Sequence, residues 1–135
     1  MSKLIPYLNF EGQCEEAMNF YKECVEGSIG EYSRFSDSPQ QAPEEYKNKI
    51  MHVEFRFDDN TIMAADVMPG YKLKKGNNMN LNLAMEDPEK MAKWFNNLAV
   101  GGIVLMDLQD TFWGARFGMV EDKYGVVWMF NHDLK

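Results

Sequence analysis

The sequence carries one structural pattern twice, and the second copy begins at position 80 where the first begins at position 7. The strand-like run Tyr7-Leu8-Asn9-Phe10 returns as Asn80-Leu81-Asn82-Leu83, and the helix-like run that starts at Ala17 returns at Met91. A repeat of this length is a whole supersecondary unit. Two copies are too few for a solenoid, so they predict one domain that is built from two similar modules.

The first module has the pattern of a strand, a helix and three further strands. Apolar residues at helical spacing between Cys14 and Val25 predict the helix, and Gly27 is placed to end it in a left-handed conformation. The loop over 36–48 includes one helical turn beside Pro43. Strands are predicted over 4–10, 29–35, 51–57 and 61–67, and the alternating set Met51, Val53, Phe55 and Phe57 is predicted to face the helix in the core.

The second module follows the same order. Asp87 is predicted to cap a helix that has Pro88 at its first position, and Gly101-Gly102 ends it. Its strands are predicted over 79–85, 103–108, 112–120 and 126–130. The sequence therefore predicts an α+β fold: a single domain over 1–135, with module 1 over about 1–70 and module 2 over about 77–135. The eight main strands are expected to form an open, cup-shaped mixed sheet with the helices on its convex face, and a ligand pocket is expected between the modules.

Charge and hydropathy exclude several classes of partner. The net charge of −7 and the pI near 4.8 argue against nucleic-acid binding, which needs clustered Lys and Arg. No apolar run approaches the ~20 residues that span a bilayer, and the N-terminus lacks the apolar segment of a signal peptide. We therefore expect a cytoplasmic protein with no membrane partner. Cys14 and Cys24 are expected to be small buried hydrophobes.

Several short motifs are typical of a known family. They are Pro6-Tyr7-Leu8-Asn9-Phe10, Gly12 with Cys14, Glu16-Ala17, Phe20-Tyr21, Met51-His52, Asp66 with Pro69-Gly70, Thr111-Phe112-Trp113-Gly114, Asp122-Lys123-Tyr124-Gly125, Trp128-Met129 and Asn131. In these motifs the chain is similar to the PhnB-like members of the vicinal oxygen chelate superfamily, which includes glyoxalases, bleomycin resistance proteins, fosfomycin resistance enzymes and extradiol dioxygenases. The resemblance covers nearly the whole chain and implies a homodimer, often with halves of different subunits completing each cup.

The resemblance also implies where a divalent metal would bind, because the superfamily's enzymes use His, Glu or Gln on the first and last strands of each module. By the repeat alignment, these positions are Tyr7 (or Pro6 with a one-residue shift), Ala64, Asn80 and Met129. Hard divalent cations prefer oxygen or imidazole ligands, and this set offers at most a phenol and an amide. We therefore expect no divalent metal and no other cofactor.

His52 is the first candidate for chemistry outside the metal positions. It shares one face of its predicted strand with Glu54 and Arg56, and that face looks into the cup, toward solvent or toward the other subunit. Histidine is the side chain best suited to proton transfer near neutral pH. The alternative is a purely structural histidine.

Arg116 and Asp66 are the other two catalytic candidates. Arg116 is taken as the counterpart of His52, where Gly114 and Gly118 leave room for it to bind an anionic substrate; an ordinary salt bridge is the alternative. Asp66 and its repeat counterpart Asn131 are predicted by alternation to lie on the pocket face. For both, the alternative is that they bond nearby backbone at the ends of strands.

Amide and aromatic side chains complete the predicted ligand site. Asn9, Asn80 and Asn82 lie opposite the apolar faces of their strands, which favours a cavity over a closed core. Trp113 is predicted to form an aromatic wall, with core or dimer packing as the alternative. Together with Tyr7, His52, Asp66, Arg116, Met129 and Asn131, these residues are the predicted ligand-binding set.

Two functions are consistent with these observations. The first is a metal-free small-molecule-binding protein, with the ligand held in the cup of a homodimer. The second is an enzyme, such as a glyoxalase-like lyase or isomerase, that uses His52, Asp66 or Arg116 away from the usual metal positions. PhnB-like proteins are also described as 3-demethylubiquinone methyltransferases, but the chain lacks a glycine-rich strand-to-helix turn of the kind that cradles nucleoside cofactors.

Overall fold

The computed structural model of this chain describes residues 1–39 and 42–135. They divide into two compact units, Met1–Lys74 and Lys75–Lys135, each with its own sheet and its own helix. The fold is a mixed α+β fold in which strands predominate, as the sequence predicts. The loop predicted over 36–48 includes Gln40 and Gln41, and these two positions lie outside the described residues.

The first unit follows the predicted order of elements, except that its second strand is divided in two. The elements are β1 Tyr7–Phe10, α1 Cys14–Cys24, β2 Ser28–Ile29, β3 Ser33–Arg34, β4 Ile50–Phe57 and β5 Asn60–Asp66. The continuous strand predicted over 29–35 is wrong, because β2 and β3 pair separately with β4 and the chain leaves the sheet between them. The helical turn predicted beside Pro43 is confirmed as a short 3-10 helix at Glu44–Tyr46.

The sheet of the first unit has the strand order β1-β5-β4-β2, and β3 also pairs with β4. Strand β1 runs parallel to β5, while β4 and β5 form an antiparallel hairpin. Helix α1 contacts β4 and β5 and buries Ala17, Met18 and Tyr21 together with both cysteines. The sheet side of this core consists of Val53, Phe55, Phe57, Ile62 and Ala64.

Met51 departs from the predicted core set. Its side chain is 36% exposed, whereas the neighbouring Ile50 is completely buried. The paired register of β4 with β5 begins only at Val53, and the N–H of Ile50 donates instead to the carboxylate of Asp66. The alternation that holds from Val53 to Phe57 therefore does not extend back to the start of the strand.

The second unit repeats the plan without the division. Its elements are β6 Leu81–Ala84, α2 Pro88–Ala99, β7 Ile103–Asp110, β8 Ala115–Glu121 and β9 Val127–Asp133, in the sheet order β6-β9-β8-β7. The predicted cap of α2 is confirmed, since Asp87 accepts hydrogen bonds from the N–H groups of Glu89 and Lys90 and Pro88 is the first helical residue. The buried stripe of α2, formed by Met91, Trp94, Phe95 and Leu98, accompanies Val120, Trp128 and Phe130 in the core.

The two helices end in different ways. Gly101, just beyond α2, has a positive φ of 76°, which glycine adopts without strain. At the end of α1, however, the left-handed residue is Glu26, with φ 54°, and not Gly27 as predicted. Gly27 instead provides space, because a Cβ at this position would lie 2.4 Å from Cζ of Phe55.

Two buried carboxylates hold the strand ends in place. Asp66 and Asp122 are the charged side chains that are buried in the described residues. The oxygens of Asp66 accept from the N–H groups of Gly12 and Cys14 at 2.8 and 2.9 Å and from that of Ile50 at 2.9 Å. Asp66 thereby joins the end of β5 to the start of α1 and to the start of β4.

Asp122 has the same role in the second unit, with different partners. Its Oδ1 accepts from the N–H groups of Tyr124 and Val126, and its Oδ2 accepts from Nε1 of the buried Trp128 at 2.9 Å. These contacts hold the turn between β8 and β9. Because an unpaired buried donor is costly, each carboxylate is expected to contribute strongly to stability.

We predict that Asp66→Asn destabilises the protein by about 2–3 kcal/mol, because an amide has one acceptor oxygen and leaves at least one buried N–H without a partner. The free energy of unfolding from urea titration measures the loss. Asp59→Asn, at an exposed turn position, is the matched control and should change stability by less than about 0.5 kcal/mol. Equal effects of the two substitutions would contradict the role assigned to Asp66.

Candidate functional site

Each sheet has one face packed on its helix and one face without a helix, which we call the open face. In the first unit, the strand register places seven residues on the open face: Tyr7, Asn9, Glu54, Arg56, Thr61, Met63 and Ala65. The contact of His52 with Tyr7 places His52 on the same face. This face carries polar side chains at its centre, and those side chains are the basis of the candidate site.

Tyr7 and His52 form the main contact on the open face. The hydroxyl of Tyr7 lies 3.1 Å from Nδ1 of His52, and the two rings are 5.8 Å apart between centroids. Tyr7 stands on β1 and His52 on β4, so the contact spans β5, which lies between these strands. The sequence placed both residues in the ligand-binding set, and the structure brings them together.

Burial raises the pKa of the Tyr7 phenol above its usual value, and the negative charge of a Cys14 thiolate would raise it further. The pKa of Cys14 is itself raised far above its usual range, first by burial and then by the nearby carboxylates of Asp66 and Glu15. Tyr7 is therefore a protonated hydrogen-bond donor at neutral pH, and Cys14 is an unreactive thiol. This agrees with the prediction that Cys14 is a buried hydrophobe.

A cavity of about 380 Å³ adjoins His52. Its walls are formed by Ser28, Ile29, Gly30, Glu31, His52, Glu54 and Arg56. Glu54 and Arg56 form an ion pair within it, with Nε and Nη2 of the guanidinium 2.8 and 2.5 Å from Oε1 of the carboxylate. The cavity is thus a polar pocket with one apolar wall at Ile29.

Sequence reasoning missed the part of this cavity that β2 and the following residues contribute. Ser28, Gly30 and Glu31 belong to a weakly patterned segment that was interpreted as one ordinary strand. Tyr32, the next residue, has a buried hydroxyl with no hydrogen-bond partner among the described residues, and burial raises its pKa to about 12. The signal that could have revealed the segment is Gly30, where a Cβ would lie only 3.0 Å from the carbonyl oxygen of Glu54.

Asp66 is not on the open face, so the prediction from alternation is wrong. Its carboxylate turns toward the start of α1 and is only 4% exposed. All of its oxygens are engaged by backbone N–H groups, which is the capping role named as the alternative. Asp66 therefore contributes to the scaffold of the unit and not to the site.

Register also corrects the repeat alignment. Leu8 and Leu81 are equivalent, and they pair with Ala64 and Trp128 respectively. Ala64 therefore corresponds to Trp128, while Met129 corresponds to Ala65. The predicted equivalences of Ala64 with Met129 and of Asp66 with Asn131 are each wrong by one residue.

Arg116 is not the counterpart of His52. Val53 pairs with Ala64 and Val120 pairs with Trp128, so His52 corresponds to Met119, the residue before Val120. Arg116 donates from Nε to Oδ1 of Asp110 at 3.0 Å, which is the salt bridge named as the alternative.

The space beside Gly118 is used for core packing. A Cβ on Gly118 would lie 2.8 Å from Cδ2 of Leu108 and 3.0 Å from Cε2 of Phe95. The space predicted at Gly118 is therefore occupied by apolar side chains of the second unit.

The open face of the second unit contains the remaining predicted residues. Asn82 pairs with Met129, Asn131 pairs with Phe117, and Nδ2 of Asn80 lies 3.5 Å from the sulfur of Met129. Trp113 is 56% exposed and packs edge-on against Phe112 and Phe117, with centroids 5.0 and 6.2 Å apart. This face therefore carries amide side chains, a thioether and an aromatic cluster.

The strand positions where the superfamily holds a metal do not fit a divalent cation. Across the first and last strands, the paired residues on the open face are Tyr7 with Met63 and Asn9 with Ala65 in the first unit, and Asn82 with Met129 and Ala84 with Asn131 in the second. This set lacks carboxylates and imidazoles, which such ions prefer. No group of three or more His, Cys, Asp or Glu side chains in the described ranges is placed to hold a metal ion.

Comparison with known proteins identifies the family. The sequence model of a family described as 3-demethylubiquinone-9 3-methyltransferase matches residues 2–130. The chain belongs to this family, and its motifs resemble those of the PhnB-like proteins. Protein YjdN of Escherichia coli K12 is 33% identical over 138 aligned residues, which cover 95% of this PhnB-like chain and 93% of YjdN.

Two solved structures are similar over nearly their whole length. Protein PA1353 from Pseudomonas aeruginosa has a TM-score of 0.87 and 36% identity, with 98% of each chain covered. The PhnB protein from Bacillus cereus has a TM-score of 0.80 and 30% identity, with 97% of this chain and 99% of that chain covered. A glyoxalase/bleomycin resistance/dioxygenase domain from Frankia, at 10% identity and a TM-score of 0.71 over 98% of each chain, shows the shared fold alone.

The helices of this PhnB-like chain are short. Helix α1 has 11 residues and α2 has 12, and no helix in the described part of the chain is long and apolar enough to cross a membrane.

Proposed function

We propose that this PhnB-like protein binds a small organic molecule and does so without the metal centre of its superfamily. The observation that carries the proposal is the set of side chains on the first and last strands of each unit. They place phenol, amide and thioether groups where the superfamily's metal-dependent enzymes place ligands. A ligand can hydrogen-bond and pack against such groups, whereas a divalent cation would be poorly coordinated.

The polar character of the open faces supports a binding role. Asn9, Asn80 and Asn82 are exposed amides on strands whose other faces are apolar, and His52 with Tyr7 adds a paired donor and acceptor. Amide, hydroxyl and imidazole groups fix the orientation of ligands in otherwise apolar sites. The net charge of −7 further supports a small ligand over a nucleic acid.

The exposed apolar strand at the edge of the second sheet supports a homodimer. Strand β7 is the terminal strand of its sheet, and its apolar half, Ile103, Val104, Leu105 and Met106, is 38–58% exposed. A long apolar edge strand is a template for pairing with another chain, and soluble proteins normally cover it. A second copy of this chain is the occupant that the family resemblance favours.

Enzymatic activity is the second candidate function, and the pair of Tyr7 and His52 favours it. A histidine whose ring is oriented by a phenol and lies beside a cavity can move a proton to or from a bound molecule. Arg116 and Asp66 do not support this function, because each is engaged in a structural contact and neither lines the cavity.

Methyl transfer receives no support from the residues after β1. The chain continues there as Glu11-Gly12-Gln13-Cys14, which lacks the repeated glycines of a dinucleotide-type turn. The N–H groups of Gly12 and Cys14 are also already bonded to Asp66, so they cannot receive a cofactor phosphate or carboxylate.

We predict that calorimetric titration of the purified protein with Zn²⁺, Ni²⁺, Mn²⁺ or Fe²⁺ shows no tight stoichiometric binding, because the strand positions offer no carboxylate or imidazole. Thermal-shift screening of small organic molecules should instead give ligands whose binding is unchanged by a chelator. Tight one-to-one metal binding that His52→Ala abolishes would contradict the proposal. Asp59→Asn serves as the control for nonspecific effects of a substitution.

We predict that the wild type sediments at twice its chain mass of 15.7 kDa and that Leu105→Lys weakens the dimer at least about tenfold, or about 1.4 kcal/mol. The reason is that a lysine at the centre of β7 buries an unpaired charge in the interface. Met79→Lys, at an 84% exposed residue outside β7, is the matched control. Analytical ultracentrifugation measures both, and a monomeric wild type would refute the dimer.

A further inference from the structure

The imidazole of His52 has one nitrogen engaged and one nitrogen free. Nδ1 lies 3.1 Å from the hydroxyl of Tyr7, while Nε2 makes no hydrogen bond within residues 1–39 and 42–135. His52 also forms part of the wall of the 380 Å³ cavity, which Tyr7 does not line. Nε2 is therefore the hydrogen-bonding atom of the ring that remains for a ligand.

The partner of Nδ1 determines what Nε2 can do. A phenol is a stronger donor than acceptor, and a neutral imidazole nitrogen is a good acceptor, so the Tyr7 hydroxyl donates to Nδ1. The raised pKa of Tyr7 keeps that hydroxyl protonated. With Nδ1 accepting, the ring proton must be on Nε2, so His52 brings one N–H donor to the residues that line the cavity.

A second donor stands on the same wall. Arg56 directs Nε and Nη2 to a single oxygen of Glu54, so Glu54 fixes the guanidinium, and Nη1 has no hydrogen-bond partner in the part of the chain that the structure describes. Ser28 pairs with Arg56 across the strands and adds a hydroxyl to the lining. His52, Arg56 and Ser28 therefore each bring a hydrogen-bond donor to the lining of one cavity.

The remaining walls restrict the ligand further. Ile29 supplies an apolar surface, and the exposed carboxylate of Glu31 lies on the lining as well. The carboxylate of Glu31 repels each negative charge of a ligand, so a dianion is disfavoured more than a monoanion, while an alkyl group would contact Ile29. The cavity volume of about 380 Å³ is within the range that holds small organic ligands.

We propose that this cavity binds a small monocarboxylic acid, whose carboxylate accepts hydrogen bonds from Nε2–H of His52 and from Arg56 while its apolar end contacts Ile29. The proposal rests on the proposed small-molecule-binding function and names the class of ligand. Tyr7 is a positioning residue in this account, because it acts through the tautomer of His52.

The chain contains two histidines, so a long-range ¹H–¹⁵N NMR spectrum tests the tautomer directly. His132 is an internal reference, since its Nδ1 lies 2.8 Å from the carbonyl oxygen of Met85, which can only accept, and this histidine must therefore carry its proton on Nδ1. At about pH 8.5, where imidazoles are ordinarily neutral, we expect the Nε2–H pattern for His52 and the Nδ1–H pattern for His132. Tyr7→Phe should convert His52 to a mixture of tautomers.

Titration with butyrate, with succinate and butylamine as the dianion and cation of similar size, tests the ligand class in the same spectra. Butyrate should shift the His52 signals and leave those of His132 in place, and Arg56→Gln should weaken binding at least about threefold. Arg116→Gln, at the arginine paired with Asp110, is the matched control and should leave the affinity for butyrate unchanged. An Nδ1–H pattern at His52 overturns the proposal, and so does butyrate binding that spares His52 or is weaker than that of the other two compounds.

The proposed ligand class and the proposed binding function can be contradicted by different results. If other small molecules bind while monocarboxylates do not move His52, the proposed ligand class is wrong and the binding function stands. Tight metal binding in place of organic ligands would overturn the binding function, and the tautomer of ligand-free His52 would still report the Tyr7 contact.

Discussion

Asp66 holds together the segments that shape the first unit. Its buried carboxylate receives the N–H groups of Gly12, Cys14 and Ile50, so it ties the end of β5 to the start of α1 and to the start of β4. A buried charge is tolerated only when its oxygens are fully bonded, and three backbone donors satisfy that requirement here. The contact explains why β4 begins with a buried Ile50 and an exposed Met51, and hence how His52 is presented beside them.

The candidate site lies on the sheet face that no α-helix covers. Each unit has one helix, which covers one face of one sheet, and the opposite face is left with Tyr7, His52 and the amides. The two buried carboxylates, Asp66 and Asp122, accept hydrogen bonds from backbone N–H groups and from the indole of Trp128. What remains on the open faces suits hydrogen bonding and packing with an organic ligand better than coordination of a metal.

The sequence predicts most of the helices and strands, but it misses the division of β2 from β3 and the register of the strands. The cap at Asp87, the helix stripes and the core residues from Val53 to Phe57 follow from spacing and are confirmed. The alignment of the two repeats, however, is wrong by one residue on their last strands. A shift of one residue moves every side chain of a strand to the other face of the sheet. Asp66 was consequently assigned to the open face, although its hydrogen bonds lie on the helix side.

The sequence also does not predict the side-chain contacts that depend on how the strands pair. The sequence does not tell whether Arg116 pairs with Asp110 or with an anionic substrate. The answer depends on how β7 and β8 pair. The contact between Tyr7 and His52 joins residues 45 positions apart, and it appears only when β1 and β4 flank β5.

Native mass spectrometry of the protein, purified gently and measured before and after treatment with a chelator, tests the central claim most directly. The account predicts that a bound organic molecule appears as a mass increment that the chelator leaves in place and that Tyr7→Phe with His52→Gln reduces. A mass increment equal to a divalent metal ion, or a ligand that is lost when the metal is removed, would contradict it.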